Sequence, residues 1–388
     1  MPWKGRTPMD LRVEFMARLN KGERMTDLCV EYGVSRKTGY KLKKRYEELG
    51  VSGLEDQSRA PKHIPHKTTP EVAELVVAER EKHPNWGPRK LKDVLEERLG
   101  HSLPSASTLG NILAQKGLVQ RRHRRPRHRP VPTTLSQAKA PNDVWCIDYK
   151  GQFRLGDGSY CYPLTLTDQH SRYILGCEAM SAINEDQARE SCEMIFRAYG
   201  LPSVIRSDNG TPFGSVGLAS LSKLSVYWMR LGITPERIRP AHPQENGQHE
   251  RMHRTLKRET TRPPRTNLLQ QQETFDAFVE EFNTERPHEG LRMKRPAQLY
   301  KRSKRTYPEA IAEPDYSTHD DVVQVHRAGT INLARRKSVY LGTALAGQPV
   351  GIREEEDGRW LVSFMHIDLG HVETNNSFTP LSKEKSPQ

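Results

Sequence analysis

The sequence predicts a multidomain chain. All-α basic modules come first, then a central α/β domain on a mixed five-stranded sheet, and last a small β-barrel. Three observations predict this order. Apolar residues recur at helical spacing, with caps, through the first 119 residues. Strand and helix patterns alternate between 142 and 300, and after about residue 320 the period falls to two. The expected divisions are 1–52, 66–119, a basic linker over 120–141, 142–300 and 320–375.

The chain has 388 residues, room for several domains. Lys and Arg total 61 against 48 acidic residues, a formal net charge of +13. That balance favours a polyanionic partner, because each cation that neutralises a phosphate releases a counterion. A basic protein with no nucleic-acid role is the plain alternative. The five cysteines Cys29, Cys146, Cys161, Cys177 and Cys192 form no C-x-x-C pair, which argues against a disulfide framework or a cysteine-based zinc finger. Buried thiols in a reducing compartment are expected. The N-terminus lacks the apolar core of a signal peptide, and no apolar run reaches about 18 residues.

Within the first division, helices are expected over Met9–Leu19, Thr26–Glu31 and Ser35–Leu49. Ser35 is a plausible N-cap, and Gly39, Leu42, Tyr46 and Leu49 give one inward stripe. Arg36, Lys37, Lys41 and Lys44 decorate the third helix. Helix, glycine-containing turn and basic helix is the helix-turn-helix pattern, whose last helix enters a major groove. A solvated basic face on an ordinary bundle is the bland reading. Helices over Pro70–Lys82 and Arg89–Leu99, and a third capped at Ser105, suggest a second such module, with Trp86 as a core anchor. Between them, residues 51–68 read as a linker. The tract holding Arg121, Arg122, Arg124, Arg125, Arg127 and Arg129, broken by prolines, reads as an extended segment along a DNA backbone or as a solvated tether.

In the central domain, strands are expected at Val144–Phe153, Tyr160–Thr167, Tyr173–Met180, Val204–Ser207 and Thr234–Arg239. Helices are expected near Asn184–Tyr199, Leu218–Leu231, Asn246–Arg262 and Gln272–Asn283. Five short alternating runs between Val323 and Phe364 suggest the barrel, and Ser382–Gln388 reads as a disordered tail.

Three acids stand in distinctive surroundings: Asp148 in an apolar strand, Asp208 just past the fourth strand, and Glu250 on a later helix. If the first and fourth strands are neighbours, as in an RNase H-like sheet, both aspartates reach one site. Three carboxylates suit two Mg²⁺ ions, which bind hard oxygen ligands and serve phosphodiester chemistry. Arg254, Lys257 and Thr261 share the helical face of Glu250, placing cations beside the acid, while His249, Met252 and Leu256 suit packing. The plain reading of Glu250 is a surface glutamate paired with Arg254. Glu245 competes as the third acid but sits near a helix start, where a negative charge is stabilised anyway. Asp157 belongs to a hairpin turn and Asp168 to the wrong end of an antiparallel strand. His249-Glu250-Arg-Met-His253 also matches the H-E-x-x-H pattern of zinc proteases, with Glu273 available as a third ligand. Its basic, polar flanks favour phosphate over a peptide carbonyl.

The combination of Trp145-Cys-Ile-Asp148, Ser207-Asp208-Asn-Gly210 and His242 through Lys257 resembles the DDE transposases of bacterial insertion sequences, whose core is shared with retroviral integrases. Asn283-Thr-Glu-Arg-Pro-His288, Pro296 and Tyr300 match the segment that follows that core. The resemblance implies an RNase H-like core with Asp148, Asp208 and Glu250 as catalytic acids and metal ligands. The cofactor is expected to be Mg²⁺, with Mn²⁺ as a substitute, two ions per site. It further implies binding of double-stranded DNA at terminal inverted repeats and at the target, and strand cleavage that frees 3′-hydroxyls for transfer. A homo-oligomer assembled on DNA follows, with an accessory protein left open. A cytoplasmic, nucleoid-associated place fits. The interval from Asp208 to Glu250 is longer than in many relatives, which predicts an insertion over Gly214–Tyr227. The chief alternative is a catalytically silent regulator derived from such an enzyme.

Overall fold

The computed structural model describes residues 7–56, 68–119, 135–215, 217–240, 242–333, 338–356, 358–373 and 377–381. The tract holding Arg121, Arg122, Arg124, Arg125, Arg127 and Arg129 lies outside the described residues, as does the tail 382–388. The chain separates into two compact units, Met1–Thr69 and Pro70–Gln388.

The first unit holds α1 (Pro8–Asn20), α2 (Met25–Glu31) and α3 (Arg36–Leu49). Thr7 and Asp10 cap α1 reciprocally, and Ser35 caps α3 by accepting a bond from the Thr38 N–H at 3.1 Å. A Cβ on Gly39 would fall 2.6 Å from Met25 Sδ and 2.8 Å from Cys29 Sγ, so α2 and α3 approach too closely there for a larger residue. Arg36, Lys37, Lys41 and Lys44 are exposed. Leu49, expected inside, is 55% exposed. The helix ends at that residue, and fully buried Leu54 from the following 3₁₀ turn closes the core instead.

In the second unit, α4 (Pro70–Lys82), α5 (Pro88–Leu99) and α6 (Ala106–Gln115) pack around Trp86, which is buried and stacks on His83 with ring centroids 3.8 Å apart. The central sheet is built from β1 (Val144–Tyr149), β2 (Phe153–Arg154), β3 (Tyr160–Asp168), β4 (Ile174–Met180), β5 (Val204–Ser207) and β6 (Thr234–Arg237). Its main order is β4-β3-β1-β5-β6, with β2 paired to the start of β3. Strands β3 and β4 run antiparallel to their neighbours, while β1, β5 and β6 are parallel, so the sheet is mixed, as expected of an RNase H-like core, but has six strands rather than five, because the first expected strand is split into β1 and the short β2. Helices α7 (Glu185–Tyr199) and α8 (Lys223–Arg230) provide the crossovers; α9 (Gly247–Thr260), α10 (Leu268–Glu280) and the short α11 (Pro296–Leu299) follow. Helix α8 starts later than expected, at a capping box on Ser222.

The C-terminal part holds β7 (Asp321–Gln324), β8 (Thr330–Ile331), β9 (Val339–Tyr340), β10 (Pro349–Glu356), β11 (Arg359–Phe364), β12 (Ile367–Val372) and β13 (Phe378–Pro380). The expected barrel is corrected here. Among the described residues the order β13-β12-β11-β10-β7 leaves two open edges, with β8 and β9 as a separate pair. Closure requires the edge strands to pair, and these do not. Leu221, Val226 and Met229, from α8 and the residue before its cap, join the apolar cluster of this sheet, so a helix covers what a barrel would cover by curling.

Candidate active site

β1 is buried from Val144 to Ile147, which fixes it deep in the sheet. It lies beside β5 in parallel register, with Val144 opposite Val204 and Cys146 opposite Arg206. Asp148 and Asp208 each stand two residues further on, so the register brings both to the same edge of the sheet. Asp208 Oδ1 accepts from the Gly210 N–H at 3.0 Å, and the Asn209 amide donates to the Ile238 carbonyl at 2.7 Å, tying this loop to the end of β6. Glu250 enters from the first turn of α9, whose Met252 and Leu256 are buried beneath. The three acids line one cleft of about 440 Å³, with Asn209, Gly210 and Asn246 on its wall.

Burial, and after it the neighbouring Asp208 and then Glu250, pushes the Asp148 carboxyl up to about 7, against the opposing pull of Lys150. Arg254 and Lys257 are exposed on α9, one and two turns beyond Glu250. Thr261 departs from the expected face. The helix ends at Thr260, and the buried Thr261 hydroxyl folds back to the Lys257 carbonyl at 2.8 Å.

Competing acids take structural roles. The Glu245 side chain is 3% exposed and accepts from both the Arg239 backbone N–H at 2.8 Å and Nε at 2.7 Å. Asp157 caps its hairpin through the Ser159 N–H and hydroxyl. Asp168 sits opposite Trp145, at the far end of β1, and accepts from Asn142 N and from the Ser171 N–H and hydroxyl.

The two histidines of the H-E-x-x-H string are buried, and burial lowers His249 to about 3 and His253 to about 2, so both are neutral. Asp148, His249 and His253 do offer ligand atoms within 4.8 Å of one another. However, the Nε2 atoms of both rings lie 2.7 Å from the Thr165 hydroxyl, which itself donates to the Asp148 carbonyl at 3.1 Å. Both rings then donate to Thr165 through Nε2, and His249 Nδ1 accepts from the Thr167 hydroxyl at 2.8 Å. A threonine hydroxyl stands where a zinc ion held by both Nε2 atoms would sit, so this network is better suited to lock α9 onto β3 than to ligate zinc.

Three positioning residues escaped the sequence reading. One is Thr165, the centre of that network. Asn283 bonds both the N–H and the carbonyl of Ile174 at 2.9 Å, stitching the segment after α10 to β4. Arg286, also buried, grips Glu259 of α9 at 2.9 and 3.0 Å. The Asn283–His288 block was visible as a motif, yet no local pattern reveals its partners. Tyr300 stacks on Tyr173 at 4.5 Å and donates to Asn142. The α4–α6 module is tied to the core by Arg295 with Asp93 at 3.1 Å and by Arg89 with Glu289 at 3.1 Å.

Residues 138–243 and 231–296 match integrase core domain families, residues 11–62 a helix-turn-helix domain, and residues 38–113 a homeodomain-like domain. The chain is 30% identical over 176 residues to a Gag-Pol polyprotein of baboon endogenous virus (strain M7), covering 45% of this chain and 10% of the polyprotein. The chain thus spans about a tenth of the length of the first viral relatives it matches. It is 23% identical over 236 residues to the insertion element IS407 uncharacterized 31.7 kDa protein of Burkholderia multivorans (strain ATCC 17616 / 249), covering 60% of this chain and 82% of that protein. A solved HTLV-2 integrase catalytic core domain in complex with magnesium aligns with 14% identity and a TM-score of 0.34, covering 42% of this chain and all of that one. Among the described residues no helix is long and apolar enough to cross a membrane. Integrase-core and helix-turn-helix matches thus follow one another along a chain that is similar to an insertion-element protein, which supports its resemblance to the insertion-sequence DDE transposases with an integrase-like core.

Proposed function

We propose that this chain binds the terminal inverted repeats of a mobile element, cleaves phosphodiesters at its ends and joins the freed 3′-hydroxyls to target DNA. One observation carries the reading: Asp148, Asp208 and Glu250 line a single cleft, while the rival Glu245 is held by Arg239. The donor set fits divalent magnesium, with manganese as a substitute. It is all carboxylate oxygen, and Asp148, raised first by burial and then by repulsion from Asp208, is a charge that a bound cation would stabilise. Two such ions, when bound, activate the attacking water or hydroxyl and neutralise charge on the phosphate and leaving oxygen.

The chain's own residues do the positioning. The β1–β5 register aligns the two aspartates, and Gly210 and Asn209 hold Asp208 in place. The Thr165–His249–His253 network backs Asp148 with neutral groups, so Lys150 is the cation that pulls on the carboxylate. Arg254 and Lys257 offer cations for DNA phosphates beside Glu250. In the first unit, α3 with Arg36, Lys37, Lys41 and Lys44 enters a major groove, and the cations from Arg121 to Arg129 follow the DNA backbone. Because two ends must be joined, the working form is a homo-oligomer assembled on DNA; an accessory protein remains compatible with it.

The test is cleavage and strand transfer on DNA carrying the gene's native flanks, in Mg²⁺, Mn²⁺ and EDTA. Metal-dependent nicking at the ends, followed by joined products, is expected. Tight end-binding with no cleavage in either metal would overturn the catalytic reading and leave a DNA-binding regulator.

A further inference from the structure

A second cavity, of about 220 Å³, opens on another face of α9, lined by Gln248, Arg251 and Thr255 rather than Glu250. We propose that it is a binding site for a phosphate-type oxyanion, built from Lys90 of α5, Arg172 of the β3–β4 turn, Arg251, Arg286 and His288. This site stands whether or not the carboxylate cleft is catalytic.

Charge accounting favours an anion. Of the four cations, Arg286 is matched by Glu259. No carboxylate of the described residues pairs with Lys90, Arg172 or Arg251. The acids that border the cavity are committed elsewhere: Asp168 turns both oxygens to Asn142 and Ser171, and Glu289 pairs with Arg89. Burial and then the neighbouring Arg286 pull the Lys90 ammonium down to about 8. Gathering like charges in a half-buried space is unfavourable without a counter-charge, and a fork of guanidinium donors matches phosphate geometry.

Two further observations point to a ligand. His288 is 7% exposed, and its buried Nε2 has no hydrogen-bond partner; such an orphan in a polar cavity calls for a bound group. The Arg172 guanidinium lies over Gly290, where a Cβ would come 2.1 Å from its Nη2. The missing side chain makes the space that lets this guanidinium reach the cavity. At about 30 Å³ per water, the volume has room for one tetrahedral oxyanion and several waters. Free phosphate and a single strand phosphate share this chemistry.

The experiment uses the full chain. Inorganic phosphate is titrated at constant ionic strength against chloride, read by calorimetry and by melting temperature. Arg172→Gln and Gly290→Ala are compared with wild type and with Glu250→Gln as a control outside the pocket. Expected are saturable phosphate binding in wild type and Glu250→Gln, and at least about tenfold weaker binding in both pocket variants. Gly290→Ala keeps every charge, so its loss separates geometry from net charge. If a short oligonucleotide displaces the phosphate, the natural occupant is a DNA strand phosphate; if it does not, it is a free anion. No phosphate effect beyond chloride in wild type, or an equal effect in all four proteins, overturns the proposal.

Discussion

Replacing each of the two glutamates near the start of α9 with glutamine should separate stability from chemistry in opposite directions. The Glu245 side chain is 3% exposed and receives two donors from Arg239, at 2.7 and 2.8 Å. Glutamine keeps one acceptor but turns an amide N–H against a donor and removes the charge. A hydrogen bond to a charged group contributes about 1.5–3 kcal/mol net, so Glu245→Gln should cost about 2 kcal/mol and lower the melting temperature by roughly 4 °C. Glu250 is exposed on the cleft wall, and Glu250→Gln should change stability by within about 0.5 kcal/mol. Relief of the repulsion it exerts on Asp148 would act in the stabilising direction. Activity should reverse this order: Glu245→Gln retains end-nicking at a temperature where it is folded, and Glu250→Gln loses it. The pair is assayed by calorimetric melting and by Mg²⁺-dependent nicking of end DNA. If Glu245→Gln melts like wild type yet fails to nick, while Glu250→Gln nicks, the assignment of the third acid is wrong.

Three other expectations follow from the same geometry. The Asp148 carboxyl stands at about 7 in the fold against about 3.9 in an unfolded chain, so the folded state holds its proton longer and stability falls as pH rises between those values. The loss reaches roughly 4 kcal/mol. Urea unfolding at pH 5 and pH 8 should show Asp148→Asn gaining on wild type at the higher pH, and added Mg²⁺ should stabilise only wild type. Arg286→Met should destabilise by about 3 kcal/mol, because Glu259 is left half-buried without its partner, and adding Glu259→Gln should recover most of it in the same measurement. Replacing Arg36 and Lys41 by Ala should lower the slope of log affinity against log salt for end DNA by about 0.9 per lost phosphate contact; an unchanged slope would place DNA elsewhere than on α3.

The aspartates were legible because each closes an apolar run whose register follows from strand pairing. Helix starts were legible where a serine precedes a helical pattern, as at Ser35 and Ser105. What failed was non-local. Alternation at Val350, Ile352, Val362 and Phe364 announces strands with one buried face, but closure depends on whether the edge strands meet, and here α8 covers that face. Thr261 lies on the Glu250 face only if the helix continues, and spacing alone does not mark its end at Thr260. Leu49 was displaced from the core by Leu54, a residue outside the periodic segment. Thr165, Asn283 and Arg286 act through partners dozens of residues away, so no window of sequence contains their role.

Helix α8 has consequences for where this chain can be cut. From Leu224 to Met229 every residue is buried, with Leu224, Tyr227 and Trp228 packed into the central core and Val226 and Met229 into the C-terminal sheet. A truncation after Asp315 would strip one side of that helix and present Leu221, Val226 and Met229 to water as an adhesive patch. Helix α8 also leads directly into β6, whose far end anchors the Asp208 loop through Asn209. The C-terminal sheet is therefore no detachable accessory. Shortened forms ending at the integrase core should aggregate, and any insertion between Asp208 and α8 would have to preserve both of its interfaces at once.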